Sequence, residues 1–83
     1  TIENQLIPPF DFKGVDLKET LALLSTKTGL TIIAPPEVKG KVSARFERPI
    51  PVLKALEIIL EPYDYEYQVM DNIIRVSIIL IFS

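Results

Sequence analysis

Apolar and polar residues alternate along several short stretches of the chain, and this alternation predicts strands with one buried face. Residues 10–13 show the pattern first and end at Gly14, and residues 41–47 show it again. Between them, residues 30–34 are apolar or β-branched throughout, which is typical of a buried strand. The first part of the chain therefore contains three predicted strands.

The segment between the first two predicted strands has the spacing of an amphipathic helix. Asp16 is a good N-cap residue, and Glu19 completes a capping-box pattern. Gly29 suits the left-handed position that follows a helix ending near Thr28. The apolar stripe of this helix consists of Leu17, Leu21 and Leu24. Leu23 lies off the stripe, so we expect a peripheral helix with one exposed leucine.

A second helix is predicted over residues 52–61. Its polar positions, Lys54, Glu57 and Glu61, cluster on one narrow side, and apolar residues occupy most of the remaining circumference. A helix that is apolar over so wide an arc is buried on more than one side. We therefore expect it to be central, packed between sheets, and too buried to serve as an interface.

The last third of the chain predicts a hairpin with a two-residue turn at Asp71 and Asn72, where Asn72 tolerates a positive φ. On one face this turn pairs apolar residues: Val69 with Ile74, Tyr67 with Val76, and Tyr65 with Ile78. On the other face it pairs polar residues: Gln68 with Arg75 and Glu66 with Ser77. A slip by one residue would destroy both sets. Ile79 and Ile81 continue onto the polar face, where nothing upstream matches them.

The predicted order of elements is β-α-β-β-α-β-β, which makes the fold α+β, with two helices packed between short mixed sheets. Residues 1–7 are interpreted as a lead-in, residues 8–78 as the domain, and residues 79–83 as an apolar tail. Three accounts of the tail stay open: it pairs with another chain, it packs under a missing part, or it is foreign to the domain.

The composition of the chain excludes several classes of function. Nine Lys and Arg residues against eleven Asp and Glu residues leave a net charge of −2, which argues against a nucleic-acid partner. The chain has neither His nor Cys, so the usual bases, nucleophiles and metal ligands are missing. We expect no catalysis, no metal and no cofactor. The longest apolar run covers residues 78–82, far short of the roughly 20 residues of a membrane span.

Two possible chemical roles are less well supported than a purely structural explanation of the same residues. Asp64 and Glu66 share one strand face and are the carboxylate pair that a hydrolase would need, but a solvated hairpin face explains them better. Tyr63, Tyr65 and Tyr67 recur at every second position and resemble a stacking platform, but their hairpin partners favour core packing.

Interaction with other proteins is the remaining function class. A basic cluster surrounds the third predicted strand at Lys39, Lys41, Arg45 and Arg48, and it is either ordinary surface charge or the rim of an interface. An apolar extension of a strand edge recruits partners. The candidate protein-interface residues are therefore Leu23, Arg45, Arg48, Ile79 and Ile81.

Several runs in the chain carry a resemblance to a known family. They read FDFKGVDLKETL at 10–21, TGLTIIAPPEVKGKV at 28–42, PVLKALEIIL at 51–60, YEY at 65–67 and NIIRV at 72–76. The most specific piece is PEVKGKV at 36–42, which joins the second and third predicted strands. Over about residues 8–77 the chain resembles the N-terminal periplasmic domain of bacterial outer-membrane secretins.

The resemblance implies a non-catalytic module of a gated channel for type II secretion or type IV pili. Such a module lies at the periplasmic face of the outer membrane, docks to inner-membrane components, and packs with neighbouring copies in a homo-oligomeric ring. Its contact with the membrane is made only through the rest of the full-length protein. The same small fold implies one alternative, the N-terminal signalling domain of a TonB-dependent receptor, which contacts an anti-sigma regulator.

Overall fold

The computed structural model describes residues 2–79, except for the side chain of Glu3. Two helices and seven strands make up the fold, with short 3-10 turns at Ile2–Asn4 and Glu61–Tyr63. The strands are β1 (Leu6–Ile7), β2 (Phe10–Asp16), β3 (Thr31–Ile33), β4 (Lys41–Phe46), β5 (Ile50–Pro51), β6 (Tyr65–Met70) and β7 (Ile73–Ile78). The helices are α1 (Leu17–Thr28) and α2 (Val52–Leu60). None of the helices in this part of the chain has the length and apolar character that a membrane crossing requires.

The strands form three small sheets. β1 pairs with β5 and β2 pairs with β4, both antiparallel. The third sheet has the order β3-β7-β6, with β7 parallel to β3 and antiparallel to β6. The predicted α+β class, with two helices and short mixed sheets, is therefore confirmed, and β1 and β5 are additional to the predicted elements.

The register of the β6–β7 hairpin is as predicted. The inner-face pairs are Tyr65 with Ile78, Tyr67 with Val76, and Val69 with Ile74. The turn differs in one detail, because its positive φ belongs to Asp71 (56°) and not to Asn72. Asp tolerates this conformation much as Asn does, since its short side chain can bond to the local backbone.

The outer face of the mixed sheet is less polar than predicted. Met70 pairs with Ile73 next to the turn, and both side chains are exposed. Ile33 lies on the same face and is also exposed, at 45%. The prediction of a buried strand here is wrong, because β3 is an edge strand and two of its three side chains are exposed.

Helix α1 follows the predicted bounds but not the predicted cap. Asp16 occupies the N-cap position without a side-chain hydrogen bond, so the capping box does not form. Gly29 has the expected left-handed conformation (φ 76°), and its N–H donates to the Ser25 carbonyl at 2.8 Å. Thr20 is fully buried on this helix, and its hydroxyl donates to the Asp16 carbonyl at 3.1 Å. A threonine whose hydroxyl forms a hydrogen bond within its own helix can thus be buried among the apolar residues of that helix.

Strand β2 continues past Gly14, where the prediction ended it. The pairing with β4 shifts between Phe12 and Val15, which is a β-bulge, and Gly14 supplies the positive φ (63°) that this bulge contains. The N–H of Gly14 donates to Ser43 Oγ at 3.0 Å. The glycine therefore bends the strand and does not terminate it.

Residues 2–7 contribute to the core, although the sequence pattern predicts only a lead-in there. Ile7 is 1% exposed and Ile2 is also buried. The N–H of Val52 donates to the Gln5 carbonyl at 2.9 Å, which joins this segment to the start of α2. These contacts make the segment part of the folded unit.

Helix α2 buries Val52, Ala55, Leu56, Ile59 and Leu60. It packs against β5, β6 and the N-terminal 3-10 turn, in agreement with a central position. One side of the helix is nevertheless open to solvent, so burial does not rule out an interface there as expected. Lys54, Glu57 and Ile58 face solvent, and Ile58 is 42% exposed.

Candidate protein-interaction surfaces

Within residues 2–79, no group of acidic side chains is arranged to hold a metal ion. The acidic residues Asp64 and Glu66 do share a groove with Glu57 and Glu61, but each of these residues is exposed. Catalytic carboxyl groups are typically held in a cleft that largely excludes water. This arrangement favours recognition of charge over acid–base chemistry.

Two tyrosine hydroxyls hold the backbone of the 39–41 segment. The N–H of Lys39 donates to the Tyr65 hydroxyl at 3.1 Å, and that hydroxyl donates to the Lys39 carbonyl at 3.2 Å. The N–H of Lys41 donates to the Tyr63 hydroxyl at 3.1 Å, and the Tyr63 hydroxyl donates to the Lys41 carbonyl. These bonds fix the chain where it enters β4. They give Tyr63 and Tyr65 a structural role in place of a stacking platform.

The outer face of the β2–β4 sheet is charged. Arg45 is paired with Asp11 across the sheet, and its guanidinium lies 3.3 Å from the Glu47 carboxylate. Both of these salt-bridged side chains are more than two-thirds exposed, so the pair contributes at most about 1 kcal/mol of stability. Arg48 is exposed beside them and lines the same shallow depression as Arg45.

Leu23 is exposed beside a small apolar hollow between α1 and the β1–β2 segment. Pro9 and Phe10 line this hollow and also line the next depression, which contains Arg45. The hollows therefore form one continuous surface from Leu23 to Arg48. We call it the β2–β4 surface; it consists of Pro9, Phe10, Leu23, Arg45, Phe46 and Arg48. Three of the predicted interface residues are thus brought together.

A second surface lies on another part of the molecule, between α2 and β6. This groove, the α2–β6 groove, has a volume of about 620 Å³. It is lined by Lys54, Glu57, Ile58, Leu60, Glu61, Asp64, Tyr65, Glu66, Tyr67 and Ile79. Ile79 therefore belongs here and not to the β2–β4 surface. The predicted interface residue Ile81 lies outside the described residues.

Ile58 is the groove residue that the sequence pattern missed. It lies about 40° around the helix from Lys54, at the border between the polar side and the apolar arc. An apolar residue next to a polar stripe is the signal that could have found it. Nearby, burial raises the pKa of the Tyr67 phenol, and the Glu57 carboxylate raises it further.

Comparison with known proteins gives one family match and several structural matches. The model of the GspD-like N0 domain family matches residues 10–76. Comparison with curated protein sequences gives no significant match.

Among solved structures, the N0 domain of the type II secretin from enterotoxigenic Escherichia coli superposes with a TM-score of 0.69 at 28% identity, covering 86% of this chain and 93% of that one. A chain of the enterotoxigenic E. coli GspC–GspD complex superposes with a TM-score of 0.64 at 26% identity, covering 83% of this chain and 54% of that one.

A dimeric cysteine mutant of the N-terminal domain of the secretin XcpQ from Pseudomonas aeruginosa superposes with a TM-score of 0.72 at 21% identity. This match covers 83% of this chain and 35% of that one, and at this identity it supports only the fold.

Proposed function

Since the chain belongs to the GspD-like N0 domain family, we propose that it is a non-catalytic protein-interaction module of a type II secretin, at the periplasmic face of the outer membrane. The family match over residues 10–76 carries this proposal, because it spans nearly the whole fold. The family assignment and the E. coli relatives favour type II secretion over type IV pili.

The proposed partner is an inner-membrane component of the GspC type. A chain in the E. coli GspC–GspD complex shares this fold at 26% identity, which supports such a partner for this domain. We propose that docking uses the β2–β4 surface. Its exposed Leu23 offers an apolar contact, and Arg45 and Arg48 offer cations that orient the partner.

The test is a kinetic binding measurement between this chain and the periplasmic domain of the GspC-type protein from the same genome. Reversing both arginines, R45E with R48E, is expected to lower the association rate about tenfold or more, because charges at an interface rim mainly steer encounter. The control K18E with R75E reverses two exposed cations outside both surfaces and should leave binding unchanged. Equal association rates for the wild type and the double variant would refute docking at this surface.

We also propose that neighbouring copies pack side by side in a ring, with the tail at residues 79–83 as a contact. The part of the tail that the structure describes supports this, since Ile79 is exposed and its N–H extends the hairpin by bonding to the Asp64 carbonyl at 3.0 Å. A chain lacking residues 79–83 should keep its unfolding midpoint but show a lower mass by light scattering at high concentration. Identical masses with and without the tail would remove it as an assembly element.

A further inference from the structure

The outer edge of β6 has no neighbouring strand among the described residues, where β6 pairs only with β7. In an antiparallel pair, residues that exchange hydrogen bonds alternate with residues that do not. The N–H of Ile79 bonds to the Asp64 carbonyl, and the two-residue turn closes on Met70 and Ile73, so residues at even positions of β6 bond to β7. The backbone groups of the odd positions, Tyr65, Tyr67 and Val69, therefore point away from β7.

The α2–β6 groove runs beside this open edge. Its apolar part is formed by Ile58, Tyr65, Tyr67 and Ile79. Four carboxylates surround that apolar part, and Lys54 is the single cation in the lining, 3.9 Å from the Glu57 carboxylate. An open strand edge, an apolar strip and an excess of negative charge thus occur in one place.

We propose that the α2–β6 groove binds an extended, cationic segment of a partner protein, which adds to β6 as a fourth strand of the β3-β7-β6 sheet. Main-chain bonds to Tyr65, Tyr67 and Val69 would hold the segment, as unpaired strand edges do in other proteins. Side chains of an added strand alternate between the two faces of the sheet. Those facing the groove would be Lys or Arg beside Glu57 and Glu61, with an apolar residue against Ile58.

The length of β6 sets the length of the segment. Tyr65–Met70 comprises six residues, so a segment of about six residues covers the edge. This proposal rests on the proposed function only in that the chain is a protein-interaction module. It uses a surface separate from the β2–β4 surface, so the two proposals can fail independently.

The test is an NMR titration of the ¹⁵N-labelled chain with three synthetic peptides of six residues. In the first, lysine and valine take turns at the odd positions and threonine fills the even positions, so that both kinds of side chain lie on one face of the strand. The second has glutamate in place of lysine, and the third is the lysine peptide with all its amides N-methylated. Only the first should shift the amide signals of Tyr65, Tyr67 and Val69. N-methylation keeps the charge and removes the donors, so binding by the third peptide would overturn strand addition.

Matched variants test the role of charge. E57Q with E61Q should weaken binding of the lysine peptide about three- to tenfold, as expected for two exposed ion pairs. E19Q with E37Q removes the same charge at exposed positions outside the groove and should leave affinity unchanged. If both double variants lost the same affinity for the lysine peptide, net charge alone would explain the loss, and the proposal would be overturned.

The remaining outcomes are also decisive. No binding of the lysine peptide, or equal shifts with the glutamate peptide, would overturn the proposal. Shifts of the β6 amides that depend on protein concentration without peptide would identify a second copy as the occupant instead. R45E with R48E should bind the lysine peptide normally, so loss of GspC-type binding in that variant cannot be mistaken for loss of the groove.

Discussion

The ring of Tyr63 lies on Gly40 so closely that a β-carbon there would be 2.8 Å from two ring carbons, Cε1 and Cζ. Gly40 also has a φ of 146°, which L side chains rarely adopt. The Tyr63 ring is held in place by the hydrogen bonds of its hydroxyl with the Lys41 backbone. The glycine of the PEVKGKV segment is therefore required by a contact with a residue 23 positions further along the chain.

The first prediction concerns this contact. G40A should lower the free energy of unfolding by about 1–3 kcal/mol from backbone strain alone, with a further loss from displacement of the ring. G14A is the control, since Gly14 has a positive φ but an open position with no atom within 4 Å of a β-carbon. Urea denaturation should show the larger loss for G40A. Combining G40A with Y63A should be less destabilising than the sum of the two, and strict additivity would argue against a direct clash.

The second prediction concerns the central helix. Leu56 is fully buried, so L56A should lower the free energy of unfolding by about 2–5 kcal/mol. I58A on the same helix removes a side chain that is 42% exposed and should change stability by about 0.5 kcal/mol or less. The two denaturation midpoints check this directly. A similar loss for both variants would mean that the helix is rotated from the orientation described.

The third prediction concerns the domain boundary. We propose that the folded domain includes residues 2–7, because Ile7 is 1% exposed within the core. I7A should be destabilising by about 2–5 kcal/mol, whereas its neighbour Leu6 is 53% exposed and L6A should cost about 0.5 kcal/mol or less. Thermal unfolding of both variants measures the difference. A boundary at residue 8 would instead predict no effect from either substitution.

The fourth prediction concerns pH. The pKa of Tyr67 in the folded chain is raised above 10.0, chiefly by burial and then by Glu57. The folded state therefore holds the phenolic proton more tightly than the unfolded state. This contribution to stability is complete below pH 10.0 and is lost as the pH rises through the folded pKa. Urea midpoints of Y67F should fall less steeply with alkaline pH than those of the wild type.

A companion measurement isolates the role of the carboxylate. E57Q removes the second cause of the shift, so the Tyr67 pKa should move towards 10.0 while remaining above it. An NMR titration of the Tyr67 ring signals checks this. A Tyr67 pKa that is the same in E57Q and the wild type would leave burial as the only cause.

Much of the fold follows from local pattern. The β6–β7 register was predictable because alternation on both strands leaves only one register with matched faces. The end of α1 at Gly29 was predictable because a left-handed cap is a local event. In each case the deciding information lies within the hairpin or the helix end itself.

The features that the sequence did not predict have a different cause. β1 and β5 have two residues each, too few for an alternation pattern, and their pairing joins Ile7 to Ile50 across the chain. The role of Gly40 depends on Tyr63, and the bulge at Gly14 depends on its pairing with β4. Contacts between distant segments decide these features, and a single sequence carries no local sign of them.

The candidate surfaces show the same limit. Leu23, Arg45 and Arg48 were identifiable as unmatched apolar or basic residues, but their joining into one surface depends on Pro9 and Phe10. The α2–β6 groove was missed because the apolar arc of α2 hid the exposure of Ile58. The sequence shows which residues are suited to an interface, whereas the fold decides which of them lie next to one another.

The central position of β7 also determines when the domain can fold. β7 is the last described strand along the chain, yet Ile74 and Val76 at its centre are almost wholly buried and β3 and β6 both pair with it. No three-stranded sheet can exist before residues 73–78 are available. A chain that emerges from its N-terminus therefore exposes apolar sides of both helices until then, and folding is expected to be a late, single event after the whole domain has emerged.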